Sequence, residues 1–458
     1  MFRATICDLK NWQTKPKRKP LVVRGARQVG KTYLIRQFGR ECFHNTVELN
    51  FERQPELAQL FTSKDPNQIL PLIELQYNAA INPGETLLFL DEIQAAPQVF
   101  EALRYFFEEC PDIHVIAAGS LLEFALAGAS FAVPVGRIEY LYLGPMTFEE
   151  FLLAQGKERL VSFICSFEFP ATIPDPLHRQ LLDAVRQYLV VGGMPASVFA
   201  YTRSESLVDT ESEKQSILET FAEDFGKYAR RADPDRLRKV FTRLPLLIGQ
   251  RLKYARIDRD DQARNLAHAL SLLCKALVVW RVHHSACNGV PLRAEIKETV
   301  FKPLFLDVGL MSSACGLNLL DFTSATDVLQ VNQGSVCEQF VGQHLLYGQP
   351  SFVRPELFFW MREKPSSNAE VDYAISVGTK IIPVEVKAGK TGTLKSLQVF
   401  LKAKAQKMGV RVNSAPPTRH TASYALPGMA DQSFELVSIP FYLVGQLRRL
   451  IGEKQSNG

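Results

Sequence analysis

The sequence is notable first for features that it lacks. No run of apolar residues approaches the about 18 needed for a membrane span, and the N-terminal segment MFRATICDLKNWQTKPKRKP has no apolar core of a signal peptide. The eight cysteines are scattered, with no C-x-x-C pair and no tight Cys/His cluster. This spacing argues against a zinc site or a disulfide framework and favours a reducing compartment. We therefore expect a cytoplasmic protein without a membrane span.

The composition is that of a globular protein with a slight excess of positive charge. Of the 458 residues, 46% are hydrophobic and 22% are charged, and the length predicts two or three domains. The net charge of +5 is compatible with a nucleic-acid partner but is modest for a protein devoted to DNA. Composition alone therefore leaves the partner open.

A glycine-rich segment lies near the start of the chain. GARQVGKT, at 25–32, fits the pattern G-x-x-x-x-G-K-[ST], between a β-prone run at 21–23 and a helix-like run. Backbone N–H groups of such a loop surround phosphate oxygens, a lysine reaches the β- and γ-phosphates, and a hydroxyl binds Mg²⁺. The predicted nucleotide-binding residues are Gly25, Ala26, Arg27, Gln28, Val29, Gly30, Lys31, Thr32, Tyr33 and Asp91.

Two acids end the next strongly apolar segment, TLLFLDEIQ at 86–94. A buried strand with carboxylates only at its C-terminal end places them at the edge of the sheet where ligands bind. We expect Asp91 to hold Mg²⁺ through water and Glu92 to polarise the attacking water. Magnesium-bound ATP is therefore the predicted ligand.

Two further residues are candidates for the catalytic set, which then comprises Lys31, Glu92, Ser120 and Arg137. Ser120 follows the apolar segment HVIAAGS and would contact the γ-phosphate or the water, although a strand-end turn also explains it. Arg137 would neutralise charge in the transition state, in cis or from a neighbouring subunit. A surface salt bridge is an equal alternative, and Arg104 is a weaker candidate.

Strand-like segments at about 21–24, 46–51, 86–90, 113–118 and 138–143 alternate with helical ones, which predicts a parallel α/β sheet of the P-loop type. GARQVGKT, LLFLDEIQ, VIAAGSLLEFAL and GRIEYLYLGPMTFEEF resemble the AAA-type ATPases that carry a C-terminal DUF4143 domain. The resemblance implies an AAA+-like ATPase with Asp91 and Glu92 in the Walker B roles and Ser120 at the sensor position. It also implies a homo-oligomer, and the family's basic residue after the sensor strand falls on Arg137.

The middle of the chain reads as helical, and GGMP at 192–195 interrupts its apolar stripe. By resemblance, 161–235 is a helical lid region and 236–325 a winged-helix-like module, a type that binds DNA in some proteins and serves as a protein interface in others. RNLAHALSLLCKALVVWRVHH, at 264–284, reads as one long helix-like run. We expect its final histidines, His283 and His284, to be exposed.

The C-terminal third carries a second group of charged residues. A helix bears Glu338, a hairpin strand bears Glu370 and Asp372, a third strand bears Glu385 and Lys387, and a last helix bears Gln398. Residues two apart lie on the same face of a strand. This order is similar to the PD-(D/E)XK nuclease superfamily.

The nuclease-like pattern predicts a possible second metal site. Asp372 and Glu385 would share Mg²⁺ or Mn²⁺, Glu338 would add an outer contact, and Lys387 would activate water. Glu338, Asp372, Glu385, Lys387 and Gln398 form the expected site. Cleavage of DNA, binding of DNA without cleavage, a degenerate relic and a charged strand face all remain open.

Four regions result: a P-loop AAA+-like core at 1–160, the lid region at 161–235, the winged-helix-like module at 236–325 and a PD-(D/E)XK nuclease-like α/β domain at 326–458. The favoured function is an ATPase that remodels or senses DNA and couples hydrolysis to movement of the last two regions. The alternatives are a nucleotide-dependent switch acting on a protein and an ATP-regulated endonuclease.

Overall fold

The chain forms two compact units. The structure, a computed structural model, describes residues 1–120, 122, 136–225, 233–317, 333–363, 369–389, 393–424 and 432–452. Unit 1 comprises Met1–Gly144, Lys275–Val278 and Gln349–Pro355, and unit 2 comprises Pro145–Cys274, Val279–Gly348 and Glu356–Gly458. The sequence also predicts a polar Pro/Ser/Asn turn within the hairpin at 358–376 and disorder of the last residues; residues 364–368 and 453–458 lie outside the described residues. None of the helices within the described ranges has the length and apolar content to cross a bilayer.

Unit 1 is a five-stranded parallel sheet with order β2-β3-β4-β1-β5. Its strands are β1 (Leu21–Arg24), β2 (Asn45–Asn50), β3 (Thr86–Asp91), β4 (His114–Ala118) and β5 (Glu139–Tyr142). Its helices are α1 (Ile6–Gln13), α2 (Lys31–Cys42), α3 (Pro66–Tyr77) and α4 (Pro97–Glu109), with 3₁₀ helices at Pro55–Phe61 and Ile93–Ala95. The five predicted strands and the parallel α/β sheet are therefore confirmed.

The burial of this sheet explains where its functional side chains emerge. Every residue of β1, β3 and β4 is buried, as expected for parallel strands covered on both faces. Leu88, Phe100 and Val115 belong to the core beside the sheet. Because all five strands run in the same direction, the residues that follow β1, β2 and β3 meet at one edge.

Unit 2 contains the remaining helices and a second sheet. The helices are α5 (Phe148–Ala154), α6 (Glu158–Ser166), α7 (Asp175–Val191), α8 (Pro195–Ser204), α9 (Leu207–Asp224), α10 (Pro234–Arg243), α11 (Ala263–Lys275), α12 (Val308–Ala314), α13 (Gln333–Tyr347), α14 (Lys395–Ala403) and α15 (Leu447–Ile451). Shorter 3₁₀ helices cover Leu244–Leu247, Tyr254–Arg256, Leu292–Glu295 and Phe441–Gln446. The strands are β6 (Val279–Ser285), β7 (Ile296–Phe305), β8 (Phe358–Met361), β9 (Glu370–Val377), β10 (Lys380–Val386), β11 (Met408–Asn413), β12 (Thr418–Tyr424) and β13 (Gln432–Pro440).

The sheet of unit 2 is mixed, with order β12-β13-β11-β10-β9-β8-β6-β7. β8 pairs with β9 and β9 with β10 in antiparallel fashion, which confirms the predicted hairpin and third strand. β6 joins β8 in parallel and β7 in antiparallel fashion. Strands from both sides of the predicted boundary at 325/326 therefore share one sheet, and the winged-helix and nuclease-like assignments stay predictions.

The single helix-like run expected at 264–284 is wrong. The helix α11 ends at Lys275, Leu277 takes a left-handed backbone with φ of 60°, and β6 starts at Val279. The β-branched and aromatic side chains of Val278, Val279 and Trp280 favour a strand there. The expected exposure of the histidines is wrong for His284, which is fully buried.

The glycine pair in GGMP marks a close backbone contact. Gly192 ends α7 with φ of 78°, and the amide of Gly193 donates a 2.7 Å hydrogen bond to Asp307. A Cβ at Gly193 would lie 2.2 Å from the carbonyl oxygen of Met146, which also accepts a 2.6 Å bond from the Tyr188 hydroxyl. The predicted break in the apolar stripe is thus confirmed, and packing rather than chemistry explains the two glycines.

Candidate functional site

The loop at 25–32 joins β1 to α2 at the carboxyl edge of the sheet in unit 1. Gln28 and Gly30 have left-handed backbones, with φ of 64° and 92°. A Cβ at Gly25 would lie 2.4 Å from the carbonyl oxygen of Leu143. Glycine at 25 is thus required by a close approach, and glycine at 30 by a backbone that other residues rarely adopt.

Lys31 is held inside this loop. Its Nζ donates to the carbonyl oxygens of Gly25 and Ala26 at 3.0 and 2.8 Å, and the residue is only 7% exposed. Burial lowers the pKa of Lys31 to about 8, although the negative charges of Glu92 and Asp91 act to raise it. A buried ammonium at the N-terminus of α2 fits the phosphates of a nucleotide.

The hydroxyl of Thr32 lies against the carboxylate at the end of β3. Its Oγ1 is 3.3 and 3.2 Å from the two oxygens of Asp91, and Asn50 Nδ2 donates to Asp91 Oδ2 at 3.2 Å. Burial, followed by the charges of Glu92 and Glu48, raises the pKa of Asp91 to about 6. Hydroxyl and carboxylate oxygens on adjacent elements are the donor set that Mg²⁺ prefers, so the residues fit this ion.

Glu92 is oriented by two neighbours. Its backbone is left-handed with φ of 51°, Gln94 Nε2 donates to its Oε2 at 2.5 Å, and Ser120 Oγ lies 3.5 Å from the same oxygen. A Cβ at position 119 would lie 1.9 Å from Gln94 Oε1, so only glycine at this position, directly before Ser120, leaves room for the side chain of Gln94. The predicted acid and the predicted sensor serine are therefore neighbours.

Three residues beside this site were not predicted from the sequence. Asn50 ends β2 directly opposite Asp91 in the strand register, and Gln94 follows Glu92 by two positions. Arg3, which is 4% exposed, donates 2.7 Å bonds to the carbonyl oxygens of Val29 and Gly144. Strand-end position was an available signal for Asn50, whereas nothing in the sequence indicates that Arg3 supports the loop.

The structure places Arg137 in an exposed ion pair. Its Nε lies 2.7 Å from Glu108 Oε1 on α4, and the same carboxylate pairs with Arg104 at 3.1 Å. Its guanidinium also lies 6.0 Å from the ring centre of Phe107. These contacts match the surface salt bridge that the sequence left open. The role of Arg137 in neutralising charge in the transition state, in its own subunit or in a neighbouring one, stays a prediction.

The depressed pKa of Lys31 predicts how nucleotide affinity depends on pH. A lysine with a pKa of about 8 is largely neutral at pH 9, so binding of the phosphates must then take up a proton. We expect the dissociation constant of ATP to rise up to about tenfold per pH unit above pH 8 and to be flat below it. Calorimetry from pH 7 to 9.5 in two buffers measures the affinity and the proton uptake together.

Lys31→Arg is the matched control for this titration, because arginine stays protonated over the whole range. In that variant the affinity should show no such decline, whatever its absolute value. A wild-type affinity that is constant to pH 9.5, with no proton uptake, would contradict the buried, partly neutral lysine.

A second cluster of charged side chains lies in unit 2. Lys302 on β7 is 2% exposed, and its Nζ lies 2.7 Å from Glu370 Oε1, 3.6 Å from Glu338 Oε2 and 3.8 Å from Asp372 Oδ1. Lys387 Nζ donates to Glu385 Oε1 at 2.7 Å. Four of the five residues of the predicted nuclease-like site therefore belong to this cluster: Glu338, Asp372, Glu385 and Lys387.

Burial sets the protonation of these acids. It raises the pKa of Glu338 to about 8 and that of Glu385 to about 7, in both cases with a further contribution from Asp372. Burial alone would lower the pKa of Lys302, but the carboxylates of Glu338, Asp372 and Glu370 outweigh it and raise that pKa. The lysine is therefore charged at every physiological pH.

The cluster differs from the sequence prediction in three ways. Gln398 is half-buried on α14, and no hydrogen bond joins its side chain to the cluster among the described residues. Lys302 and Arg251, whose Nε lies 3.5 Å from Glu370 Oε2, were not predicted to belong to it. In the part of the chain that the structure describes, no group of three or more His, Cys, Asp or Glu is arranged to hold a metal ion.

Three family models match successive parts of the chain. Residues 17–152 match an AAA domain, 182–321 a domain of unknown function (DUF8612), and 333–431 another domain of unknown function (DUF4143). The first match covers β1 through β5 and the whole nucleotide site. The N-terminal region is therefore an AAA-type, P-loop ATPase-like domain, and the chain carries the C-terminal DUF4143 region that the sequence resemblance predicted.

Solved structures resemble the chain at low identity. A Walker-type ATPase of Pyrococcus abyssi is 14% identical, with 68% of this chain and 94% of the other covered and a TM-score of 0.43. The ORC2 protein of Aeropyrum pernix, in ADPNP–ADP complexes, is 11% identical, with 69% and 94% covered and a TM-score of 0.36. AMPPCP-bound DnaA of Aquifex aeolicus is 16% identical, with 59% and 86% covered and a TM-score of 0.28. No curated protein matches the chain.

Proposed function

We propose that the protein hydrolyses ATP at the site in unit 1. The observation that carries this proposal is the convergence of Lys31, the Thr32–Asp91 pair and Glu92 at one edge of the sheet. Lys31 binds the β- and γ-phosphates, and Thr32 and Asp91 hold Mg²⁺. The ion neutralises phosphate charge and fixes the orientation of the γ-phosphate when it is bound.

Glu92 is the proposed general base for the attacking water. Its carboxylate accepts the proton of that water, while Gln94 and Ser120 hold the side chain in place. Gln94 donates its hydrogen bond to Oε2 of Glu92, so Oε1 is the oxygen proposed to accept the proton of the attacking water. Arg137 is the proposed source of positive charge in the transition state, in its own subunit or in a neighbour's within a homo-oligomer.

We propose DNA as the macromolecular partner, bound through a basic segment at 236–264. This segment contains nine Lys and Arg against three Asp, a net charge of +6, whereas the whole chain carries +5. Its positive charge therefore exceeds that of the complete protein. Phosphate neutralisation by such clustered cations dominates the affinity for DNA.

Ion pairs bring the parts of the basic segment together. Arg236 Nε on α10 lies 2.5 Å from Asp261 Oδ2, and Lys239 pairs with Asp258, so α10 lies beside the loop at 258–261. The amide of Leu252 donates to the carbonyl oxygen of Phe301 at 3.0 Å and fixes the segment to β7. Other cations of the segment are exposed to solvent: Arg238, Arg243, Arg251, Lys253, Arg256, Arg259 and Arg264.

ATP hydrolysis at unit 1 would then drive movement of the regions that hold DNA. The proposal is an ATPase that remodels or senses DNA, with the basic segment within the predicted winged-helix-like module. A switch that acts on a protein partner is the second candidate, and it differs in needing no DNA.

The double variant Arg243→Glu/Arg259→Glu tests the proposed surface. It should weaken binding of duplex DNA and lower the slope of log affinity against log salt by about 1.8, because each lost phosphate contact removes about 0.9. Fluorescence anisotropy over roughly 50 to 300 mM salt measures both quantities, because phosphate contacts dominate the affinity in this range.

Arg203→Glu is the matched control, since Arg203 is an exposed arginine on α8 outside the basic segment. It should leave both the affinity and the slope close to those of the wild type. Equal effects of the control and the double variant would contradict a localised surface. Absence of wild-type binding to single-stranded, duplex and branched DNA would favour the protein-directed switch.

A further inference from the structure

Lys302 occupies an unusual position for a lysine. It lies in the middle of β7, opposite Val282 of β6, and its side chain is buried to 3% exposure. The Nζ lies 5.3 Å from the ring centre of Phe359 and within 4 Å of three carboxylates. A buried ammonium costs free energy unless opposite charges surround it, so this lysine depends on the acids of the cluster.

The ammonium lies beside two of the three acids that the nuclease-like pattern assigns to a metal site. The nuclease-like pattern assigns Asp372 and Glu385 as the ligands of a metal, with Glu338 nearby. Lys302 Nζ is within 3.8 Å of both Asp372 and Glu338. Mg²⁺ needs oxygens at about 2.0–2.1 Å and keeps several waters, which leaves no room for an ammonium at the same point.

Three oxygens of the assigned metal ligands Asp372 and Glu385 already have a partner. Asp372 Oδ2 accepts a 2.8 Å hydrogen bond from the amide of Val386, and Asp372 Oδ1 faces Lys302. Glu385 Oε1 accepts a 2.7 Å bond from Lys387. Glu385 Oε2 and Glu338 Oε2 are buried and accept no hydrogen bond from a described residue, and Glu338 Oε2 lies 3.6 Å from Lys302 Nζ. Two such oxygens are fewer than a divalent cation requires.

The charge of the cluster leads to the same result. Metal ligands must be ionised, so all four carboxylates are counted as charged here. Four carboxylates (Glu338, Glu370, Asp372 and Glu385) then face three cations (Lys302, Lys387 and Arg251), which gives a formal charge of −1. A divalent cation would change this to +1 in a buried site. Without Lys302 the cluster would carry −2, which a divalent cation neutralises.

We propose that Lys302 is the resident cation of this cluster and takes the place of the divalent metal that the nuclease-like pattern implies. The C-terminal region of this chain therefore holds no Mg²⁺ or Mn²⁺ and does not cleave DNA by metal-assisted hydrolysis. Removal of Lys302 frees Asp372, Glu385 and Glu338 to close around a divalent cation, an arrangement that they do not have around the ammonium. This inference is independent of ATP hydrolysis and of DNA binding.

Binding of Mn²⁺ to the nucleotide-free, full-length protein tests the inference. All samples carry Asp91→Asn, so that the site in unit 1 does not contribute, and electron paramagnetic resonance measures the free Mn²⁺. The protein with Lys302 should bind no Mn²⁺ in the micromolar range. Lys302→Met should gain one site, and Asp372→Asn or Glu385→Gln should abolish that gain.

Two outcomes would overturn the inference. One is a micromolar Mn²⁺ site in the protein with Lys302 that is lost on Asp372→Asn, since the lysine would then move aside for the metal. The other is a folded Lys302→Met protein that binds no Mn²⁺. Circular dichroism establishes whether that variant folds. If it does not, Mn²⁺ binding to the protein with Lys302 is compared with binding to its Asp372→Asn derivative. Absence of a micromolar site supports the inference, and a site that is lost on Asp372→Asn overturns it.

Discussion

Glu92→Gln is expected to lower the rate of ATP hydrolysis by about 10²–10⁴-fold, the contribution typical of a positioned general base. Glutamine keeps the size of the side chain but cannot accept the proton of the attacking water. Affinity for ATP should change little, because Lys31 and Thr32 rather than Glu92 bind the phosphates and the metal. Phosphate release under saturating ATP and equilibrium binding of a fluorescent ATP analogue measure the two quantities separately.

Glu139→Gln is the matched control for this variant. Glu139 lies on β5 of the same sheet, where its Oε2 pairs with Lys15 at 2.8 Å, away from the loop and from Glu92. Its substitution should leave turnover unchanged. A Glu92→Gln protein that turns over ATP near the wild-type rate would show that another group accepts the proton.

Lys302→Met is expected to destabilise unit 2 by about 3–5 kcal/mol, the cost of removing one partner from a buried ion pair. Glu338, Glu370 and Asp372 would face one another without their shared counter-charge. Lys297→Met is the matched control, because Lys297 lies on the same strand and its partner Glu363 is 49% exposed, so solvent screens the charge that is left behind. It should cost about 1 kcal/mol or less.

Urea denaturation measures both variants. In a Trp12→Phe background the remaining tryptophans, Trp280 and Trp360, both lie in unit 2, so their fluorescence follows that unit alone. Equal midpoints for Lys302→Met and the wild type would mean that the acids are neutral or paired elsewhere. That result would remove the electrostatic basis for a resident lysine.

The nucleotide site was predictable because its signals are local. The loop at 25–32 and the pair Asp91–Glu92 each depend on adjacent residues, and the buried strands before them fix the edge at which they emerge. The fold of unit 1 follows from the same alternation of short apolar strands and helices. Arg3 could not be found in this way, because its contacts with Val29 and Gly144 join segments that only the folded chain brings together.

The second cluster shows where sequence reasoning stops. Spacing and strand alternation correctly brought together Asp372, Glu385 and Lys387. Lys302 lies about seventy residues upstream of Asp372, in a segment assigned to a different predicted domain, so no local pattern connects them. Only the pairing of β6 with β8 places β7 in the same sheet and its lysine among the acids.

The most direct test of the proposed function is steady-state ATP hydrolysis in Mg²⁺, with and without single-stranded, duplex and branched DNA, with strand integrity read from the same samples. We predict turnover that Lys31→Ala abolishes and that at least one DNA form stimulates, while every strand stays intact. Turnover that no DNA form changes would contradict the DNA-directed function. Strand cleavage that is lost on Glu385→Ala would contradict the role of Lys302.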